Sequence, residues 1–245
     1  MFAQGGKVVT RLLLFVFALL CSATVFASPE IVFAVPGALS MPLADIRYNE
    51  VAGGILKDFG DAMAASLHRQ ARYHVLPRKR IGEALANGSV DAYCYARPDW
   101  LGVKAAWSRP VMSNSFIIVS GPALPALKSL VELDGVVVGT VYGYEYPDLD
   151  GRKSAYVRDD APSVNLNVKK LMAKRFSYAA LDGVSFDFAA RAIPKLRNLA
   201  VLTVSKFETQ CAFSPKSDIP LEEMNQAVDT LVSSGTMTRI IAGYK

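Results

Sequence analysis

Few residues of this chain have the chemistry of a nucleophile, a general base or a metal ligand. The only histidines, His68 and His74, fall on different elements, since the sequence pattern places one on the polar side of a helix and the other inside a strand. Neither is accompanied by the cysteine or acidic ligands of a zinc site. Neither is placed to activate Cys94, and a thiol nucleophile needs such a base. The sequence therefore predicts no bound metal, no cofactor and no thiol catalysis.

The carboxylates favour binding over catalysis. Glu145, Asp58 and Asp182 form no paired-carboxylate spacing and no Ser-His-Asp arrangement. Isolated carboxylates of this kind are far more often surface or capping residues than catalytic groups.

These residues lie on alternating helices and strands. Ile55, Phe59 and Met63 recur every fourth residue and predict a helix with one buried face. From Gly54 to Ser120 the order is helix, strand, helix, strand and crossing strand, an arrangement whose strand ends open into a cleft. A second α/β pattern follows, starting with a helix over 127–133. Its last strand ends near Ser205, and the chain then crosses back to a strand over 211–214 and the final helices.

Residues 1–27 have the features of a cleaved secretory signal. Lys7 and Arg11 precede an apolar run that ends with small residues at Ala27. The uncharged run of 16 residues is shorter than the roughly 20 that a membrane-spanning helix needs, which favours cleavage after Ala27. A retained N-terminal anchor is the alternative. We therefore expect a periplasmic protein. Loss of the segment takes the net charge from +5 to +3, and the absence of a basic stripe argues against nucleic acid as a partner.

The order of several segments resembles that of the bacterial periplasmic solute-binding proteins of family 3, the polar amino-acid type that serves ABC transporters. The segments are GILKDFGDAMAASLH, YHVLP, RIGEALANGSVDAYCYA, WSRPVMSNSFIIVS and the ending SSGTMTRIIAGY. The resemblance implies the α/β, two-lobed type 2 periplasmic-binding-protein fold, in which each lobe is a mixed sheet flanked by helices. It implies a signal peptide at 1–27, a first lobe from 28–112 and 206–245, and a second lobe from 113–205. Two hinge crossings, near 110–115 and 205–210, would let the lobes close on a ligand.

In the resembled family the strands that carry Cys94 and Cys211 lie side by side near the hinge. These are the only cysteines that remain after export, and the periplasm is oxidising. The resemblance thus implies one disulfide, with two unpaired buried thiols as the alternative.

The second lobe carries three candidate ligand contacts. The segment KRFSYAALD resembles the family segment whose final residue, here Asp182, binds a ligand ammonium group. A carboxylate at a strand end that faces a cleft gives a cation charge-assisted hydrogen bonds of roughly twice neutral strength. The alternative is that Asp182 caps the helix that begins near Gly183, and both roles remain open at this stage. Gly139-Thr140 resembles the family's anion-holding turn, which implies a role for Thr140. Tyr142 follows, and its ring would either stack on the ligand or cover apolar surface.

The first lobe departs from the family pattern. Leu101 stands where amino-acid-binding members usually carry the arginine that clamps the ligand carboxylate. Either Arg97 reaches the site from another angle or the carboxylate specificity is absent. The segment LPRKRIGEAL resembles a family phrase with an arginine, here Arg80, near the cleft mouth, although a solvated charge cluster is the alternative. Trp100 would supply a wall.

The resemblance implies capture of a small polar or anionic solute, amino-acid-like or an organic acid, by cleft closure. The partner would be an inner-membrane ABC permease or a sensor domain, and the protein would act as a monomer. The runner-up hypothesis is a dehydratase-like periplasmic enzyme or a ligand-sensing protein on the same fold.

Overall fold

A computed structural model gives the structure of the protein and describes residues 29–151 and 156–245. The expected signal peptide at 1–27 lies outside these residues. Within the two described ranges, no helix combines the length and the apolar character that crossing a bilayer requires.

The described residues form eleven strands and eight α-helices, numbered here in chain order. The strands are β1 (Glu30–Pro36), β2 (Asp45–Arg47), β3 (Glu50–Gly53), β4 (Gln70–Leu76), β5 (Ala92–Ala96), β6 (Ala106–Trp107), β7 (Met112–Ser120), β8 (Val137–Val141), β9 (Val157–Ala161), β10 (Tyr178–Asp182) and β11 (Val201–Phe213). The helices are α1 (Ile55–Ser66), α2 (Arg78–Asn87), α3 (Pro98–Leu101), α4 (Pro147–Asp150), α5 (Val164–Met172), α6 (Gly183–Ala192), α7 (Leu221–Ser233) and α8 (Thr236–Ala242).

The main sheet is mixed and has the strand order β4-β1-β5-β11-β7-β10-β8-β9. At one end β1 pairs in parallel with β4 and β5, and at the other β8 pairs in parallel with β10 and β9. The long central strands β7 and β11 are antiparallel to each other and to their outer neighbours. Because parallel strands need helical crossovers, each end of the sheet is a separate α/β unit.

The buried side chains divide in the same way. One cluster is built around Ile31, Phe59 and Phe213, and we call this half lobe 1. Two smaller clusters contain Val119 and Ala180 and form the half that we call lobe 2. Strands β7 and β11 pass from one half to the other. The chain is therefore two-lobed, while the boundaries expected at 112 and 205 stay a prediction.

Two elements differ from the sequence-based expectation. The expected break between a strand that ends near Ser205 and another that starts at Cys211 is absent, because β11 runs unbroken from Val201 to Phe213. Register shifts interrupt its pairing between Thr203 and Ser205 and between Gln210 and Ala212, and such bulges let a paired strand bend. The helix expected over 127–133 is a single 3₁₀ turn, Leu130–Leu133. The capping box of Ser129 and Glu132 starts it, and it ends because the backbone is extended at Asp134 and left-handed at Gly135.

Cys94 on β5 and Cys211 on β11 are joined by a disulfide, with the sulfur atoms 2.09 Å apart. The two strands are antiparallel neighbours, as the resemblance implied. The bridge therefore ties the returning segment to lobe 1 near the point where β11 enters this lobe.

Gly139 on β8 is a position without room for a side chain. A Cβ atom there would lie 2.0 Å from Phe176 Cζ and 2.4 Å from Asn167 Oδ1. Asn167 is itself fixed, because its Nδ2 donates hydrogen bonds to the carbonyl oxygens of Gly139 and Ala180. We expect Gly139→Ala to lower the free energy of unfolding by about 3 kcal/mol, measured by urea denaturation. Gly53→Ala is the matched control, since its nearest contact would be at 3.9 Å, and an equal loss in both variants would contradict the packing described here.

Candidate ligand-binding cleft

A cleft of about 200 Å³ lies between the lobes. The lobes meet around it, since the backbone N–H of Val164 at the start of α5 donates to the carbonyl oxygen of Ala38, and the N–H of Asn165 donates to Ser40 Oγ. Six aromatic side chains line it: Tyr95, Trp100, Phe116, Tyr144, Tyr146 and Phe207. Charged side chains of both signs face it: Arg78, Arg97, Lys206, Glu145, Asp148 and Asp182. A mixed-charge cleft with aromatic walls suits a small polar solute.

Asp182 both caps α6 and lines the cleft. Its Oδ1 accepts hydrogen bonds from the backbone N–H of Ser185 at 2.9 Å and from Asn114 Nδ2 at 3.0 Å. Asn114 Nδ2 also donates to the Tyr95 hydroxyl, at 2.8 Å, which links Asp182 to the lobe 1 wall. Burial raises the pKa of the Asp182 carboxyl, although hydrogen bonds from Asn114 and Ser185 act in the opposite direction. No cationic side chain of the described residues pairs with it. The negative charge of Asp182 is therefore available to a ligand, although the carboxylate also caps α6.

Arg97 and Trp100 lie together on the lobe 1 side. Arg97 donates from Nε and Nη2 to the two carboxylate oxygens of Asp99, at 2.9 and 2.8 Å. Its guanidinium carbon lies 5.4 Å from the ring centroids of both Trp100 and Phe207. Arg97 therefore lines the cleft as half of an ion pair, whereas Trp100 is a wall in contact with two arginines.

The second of these arginines is Arg78, the first residue of α2. Its Nη1 donates to the Tyr93 hydroxyl at 3.0 Å. Its guanidinium carbon lies 4.8 Å from the centroid of the Trp100 ring and 4.9 Å from that of Tyr144. Trp100 belongs to lobe 1 and Tyr144 to lobe 2, so Arg78 contacts both sides of the cleft. Among the described residues no carboxylate forms an ion pair with it.

The amino-acid sequence matches no protein-family model and no curated protein. Solved structures match it over nearly its whole length. An ABC uptake transporter substrate-binding protein from Streptococcus pneumoniae with bound histidine is 15% identical, with a TM-score of 0.72 over 88% of this chain and 92% of that one. The arginine-specific periplasmic binding protein STM4351 of Salmonella typhimurium is 15% identical, with a TM-score of 0.71 over 89% and 99%.

A third structure is the ancestral amino-acid-binding protein AncCDT-1, a precursor of cyclohexadienyl dehydratase. It is 15% identical, with a TM-score of 0.73 over 88% of this chain and 95% of that one. The chain has the type 2 periplasmic-binding-protein fold. In this fold the cleft lies where two lobes meet beside the connecting strands, and strands β7 and β11 supply Phe116, Lys206 and Phe207 to it.

Three of the expected ligand contacts line the cleft of this type 2 fold, and three do not. Arg97, Trp100 and Asp182 are brought together there. Arg80 is exposed on α2, because successive helical residues turn by about 100°, so Arg80 points roughly opposite to Arg78. Thr140 is fully buried, and its hydroxyl donates to Asp160 Oδ1 at 2.6 Å. The Tyr142 side chain is 67% exposed. Ligand contact by these last three stays a prediction that the cleft geometry does not favour.

Arg78 and Tyr144 line the cleft and were not singled out from the sequence. A signal for Arg78 was present, since it precedes Ile81 by three residues and Leu85 by seven and so shares their buried face of α2. Tyr144 had no such signal. Gly143, with φ +78°, turns the chain between Tyr142 and Tyr144, and only the turn decides which of these rings enters the cleft.

Proposed function

We propose that the protein captures a small zwitterionic solute of amino-acid size in the periplasm and presents the closed form to an ABC uptake transporter. The observation that carries this proposal is Asp182, a half-buried cleft carboxylate without a cationic partner among the described residues. A ligand ammonium group would supply that partner, and charge-assisted hydrogen bonds of this kind are the strong ones. The aromatic walls would cover the rest of the solute.

Closure explains how such binding is coupled to transport. A ligand shifts the equilibrium between open and closed forms only through contacts that are better in one of them. Asp182 belongs to lobe 2, whereas Arg78, Arg97 and Trp100 belong to lobe 1, so a solute that touches both sides favours the closed form. An affinity in the micromolar range corresponds to about 8 kcal/mol, which a few desolvated charged contacts and aromatic cover can supply.

The solved structures support the transport role. One is described as an ABC uptake transporter protein with bound histidine and another as a periplasmic protein specific for arginine. The signal-like segment at 1–27 agrees with periplasmic export. A monomer that meets its permease or a sensor domain in the closed state is the simplest arrangement.

An enzyme of the dehydratase type is the second candidate. It is favoured by the raised pKa of Asp182, because a carboxyl that keeps its proton nearer neutral pH is a better general acid. AncCDT-1, which has the same fold, is described both as an amino-acid-binding protein and as a precursor of cyclohexadienyl dehydratase. Product formation from prephenate-like acids by the purified protein would favour this candidate over capture.

Thermal-shift screening of the mature chain, residues 28–245, tests the proposed function. The panel contains the twenty proteinogenic L-amino acids, amines, organic acids and sugars. A bound solute at a hundred times its dissociation constant stabilises the folded state by about 2.7 kcal/mol. We expect at least one amino acid to raise the melting temperature without being consumed. Stabilisation by sugars alone, or by no solute in any class, contradicts the proposal.

Binding should weaken as the pH falls. The ligand ammonium needs the ionised form of Asp182, and burial raises the pKa of that carboxyl above its ordinary value of 3.8. Affinity is therefore expected to fall between pH 7 and pH 4, starting at a higher pH than an ordinary aspartate would give. Isothermal titration across this range checks it. Asp182→Asn is the control, because its weaker residual binding should show no such dependence.

The folding stability of the ligand-free protein should change with pH in the opposite direction to the ligand affinity. A carboxyl whose pKa is raised by folding destabilises the folded state while it is ionised, and this penalty disappears as the pH falls through the folded-state pKa. The stability of the wild type relative to Asp182→Asn should therefore increase from pH 7 to pH 4, measured by urea denaturation. The other carboxylates are common to both proteins and largely cancel in the difference. A relative stability that decreases over this range contradicts the environment described for Asp182.

A further inference from the structure

We propose that Arg78 and the hydroxyl of Tyr144, one from each lobe, form the subsite for a carboxylate of the solute. The protein would then select small zwitterions whose carboxylate contacts the start of α2 instead of the loop that contains Leu101. This inference rests on the proposed function and names the part of the cleft that binds the carboxylate of the solute.

Most of the hydrogen-bond donors of the Arg78 guanidinium have no partner among the described residues. A guanidinium carries five N–H donors, and only the bond from Nη1 to the Tyr93 hydroxyl is made within the described residues. The contacts with the rings of Trp100 and Tyr144 hold the group in place without using a donor. A planar guanidinium fixed in this way matches a carboxylate, which it can bind through two parallel hydrogen bonds.

The other cleft arginine is already occupied. Arg97 donates from Nε and Nη2 to the two carboxylate oxygens of Asp99, so this ion pair balances its charge and already uses one bidentate edge of its guanidinium. Lys206 lines the cleft as well, but an ammonium group is a point charge without the fork geometry. Among the cleft cations, Arg78 is therefore the one with both a free charge and a fixed orientation.

The hydroxyl of Tyr144 points to the same ligand chemistry through an independent observation. Its oxygen is buried and has no hydrogen-bond partner among the described residues. A buried polar group without a partner is unfavourable by about 1–3 kcal/mol, so a bound acceptor would relieve it. Burial raises the pKa of this hydroxyl, and the nearby charges of Arg78 and Asp182 both act on it. It therefore stays protonated as a donor and lies close to both charged groups.

The position of the two groups couples anion binding to closure. Arg78 comes from lobe 1 and Tyr144 from lobe 2, and their contact exists only while the lobes are together. A carboxylate that accepts hydrogen bonds from both would bind the closed form more tightly than the open one.

Isothermal titration with matched ligands and variants tests this inference. The probe is the amino acid that stabilises the wild type most, together with derivatives in which each carboxylate in turn is replaced by a carboxamide. For one of these carboxylates, Arg78→Met should weaken binding of the acid about a hundredfold and of the amide less than about threefold. Tyr144→Phe should weaken binding of the acid about fivefold while leaving the ligand-free melting temperature unchanged or higher. Lys79→Met, an exposed neighbour on α2, should bind like the wild type.

Several results would overturn the inference. They are wild-type affinity in Arg78→Met, equal losses for the acid and every amide, a loss in Lys206→Met in place of Arg78→Met, or wild-type acid binding in Tyr144→Phe. If Arg78→Met does not fold, the Tyr144→Phe measurement decides, because that variant removes only an unpartnered hydroxyl. A wild-type protein that binds no amino acid refutes the proposed function itself, whereas normal wild-type binding with unaffected variants refutes the subsite alone.

Discussion

Asp182→Asn is expected to weaken the binding of a zwitterionic amino acid about a hundredfold or more at pH 7, while the ligand-free protein stays folded. Asparagine can still accept the hydrogen bond from the backbone N–H of Ser185, and it caps helices as well as aspartate does. What it lacks is the negative charge, and removing one partner of a desolvated charge pair costs several kcal/mol. Isothermal titration gives the affinity, and thermal unfolding verifies the fold.

A matched control separates the cleft charge from the general electrostatics of the helix. Asp187 lies on the same helix, α6, and is exposed and outside the cleft. Asp187→Asn removes the same charge and should leave the affinity within about twofold, as surface substitutions generally have small effects. Equal losses in the two variants, or none in Asp182→Asn, would mean that Asp182 only caps α6.

Removal of the disulfide is expected to produce the largest loss of stability. The bridge joins residues 117 positions apart, and losing a native disulfide typically costs about 2–5 kcal/mol because the unfolded chain regains its freedom. For a chain of this size, the double variant Cys94→Ala/Cys211→Ala should melt about 5–15 °C lower. Ligand affinity should change little, since neither cysteine lines the cleft. Calorimetry with and without dithiothreitol measures the effect.

The reducing agent supplies the control for this prediction. Dithiothreitol should lower the melting temperature of the wild type toward that of the double variant and leave the variant itself unchanged. A double variant as stable as the oxidised wild type would mean that the bridge contributes nothing in solution.

Much of the fold could be predicted because it depends on local periodicity. The spacing of Ile55, Phe59 and Met63 fixes one face of α1, and all three are buried in lobe 1. The two lobes and the pairing of Cys94 with Cys211 are instead implications of the resemblance that the order of segments carries. The continuity of β11 is not evident from the sequence, because residues 206–210 are largely polar, although Lys206 to Thr209 pair with β7.

The cleft was predicted less completely, because its lining depends on long-range geometry. The resemblance places Thr140 in an anion site, but its hydroxyl donates to Asp160, twenty residues away on the neighbouring strand β9. The motif favours Arg80, whereas the buried face shared with Ile81 favours Arg78. The sequence leaves two roles open for Asp182, and the structure shows that it caps α6 at the edge of the cleft.

Small-angle X-ray scattering of the mature chain, alone and with the amino acid that stabilises it most, tests the central claim most directly. Capture between two hinged lobes predicts that the radius of gyration decreases when this amino acid is added, and that Asp182→Asn does not contract at the same concentration. An unchanged radius of gyration in the wild type, at a concentration that raises its melting temperature, would contradict closure around the solute.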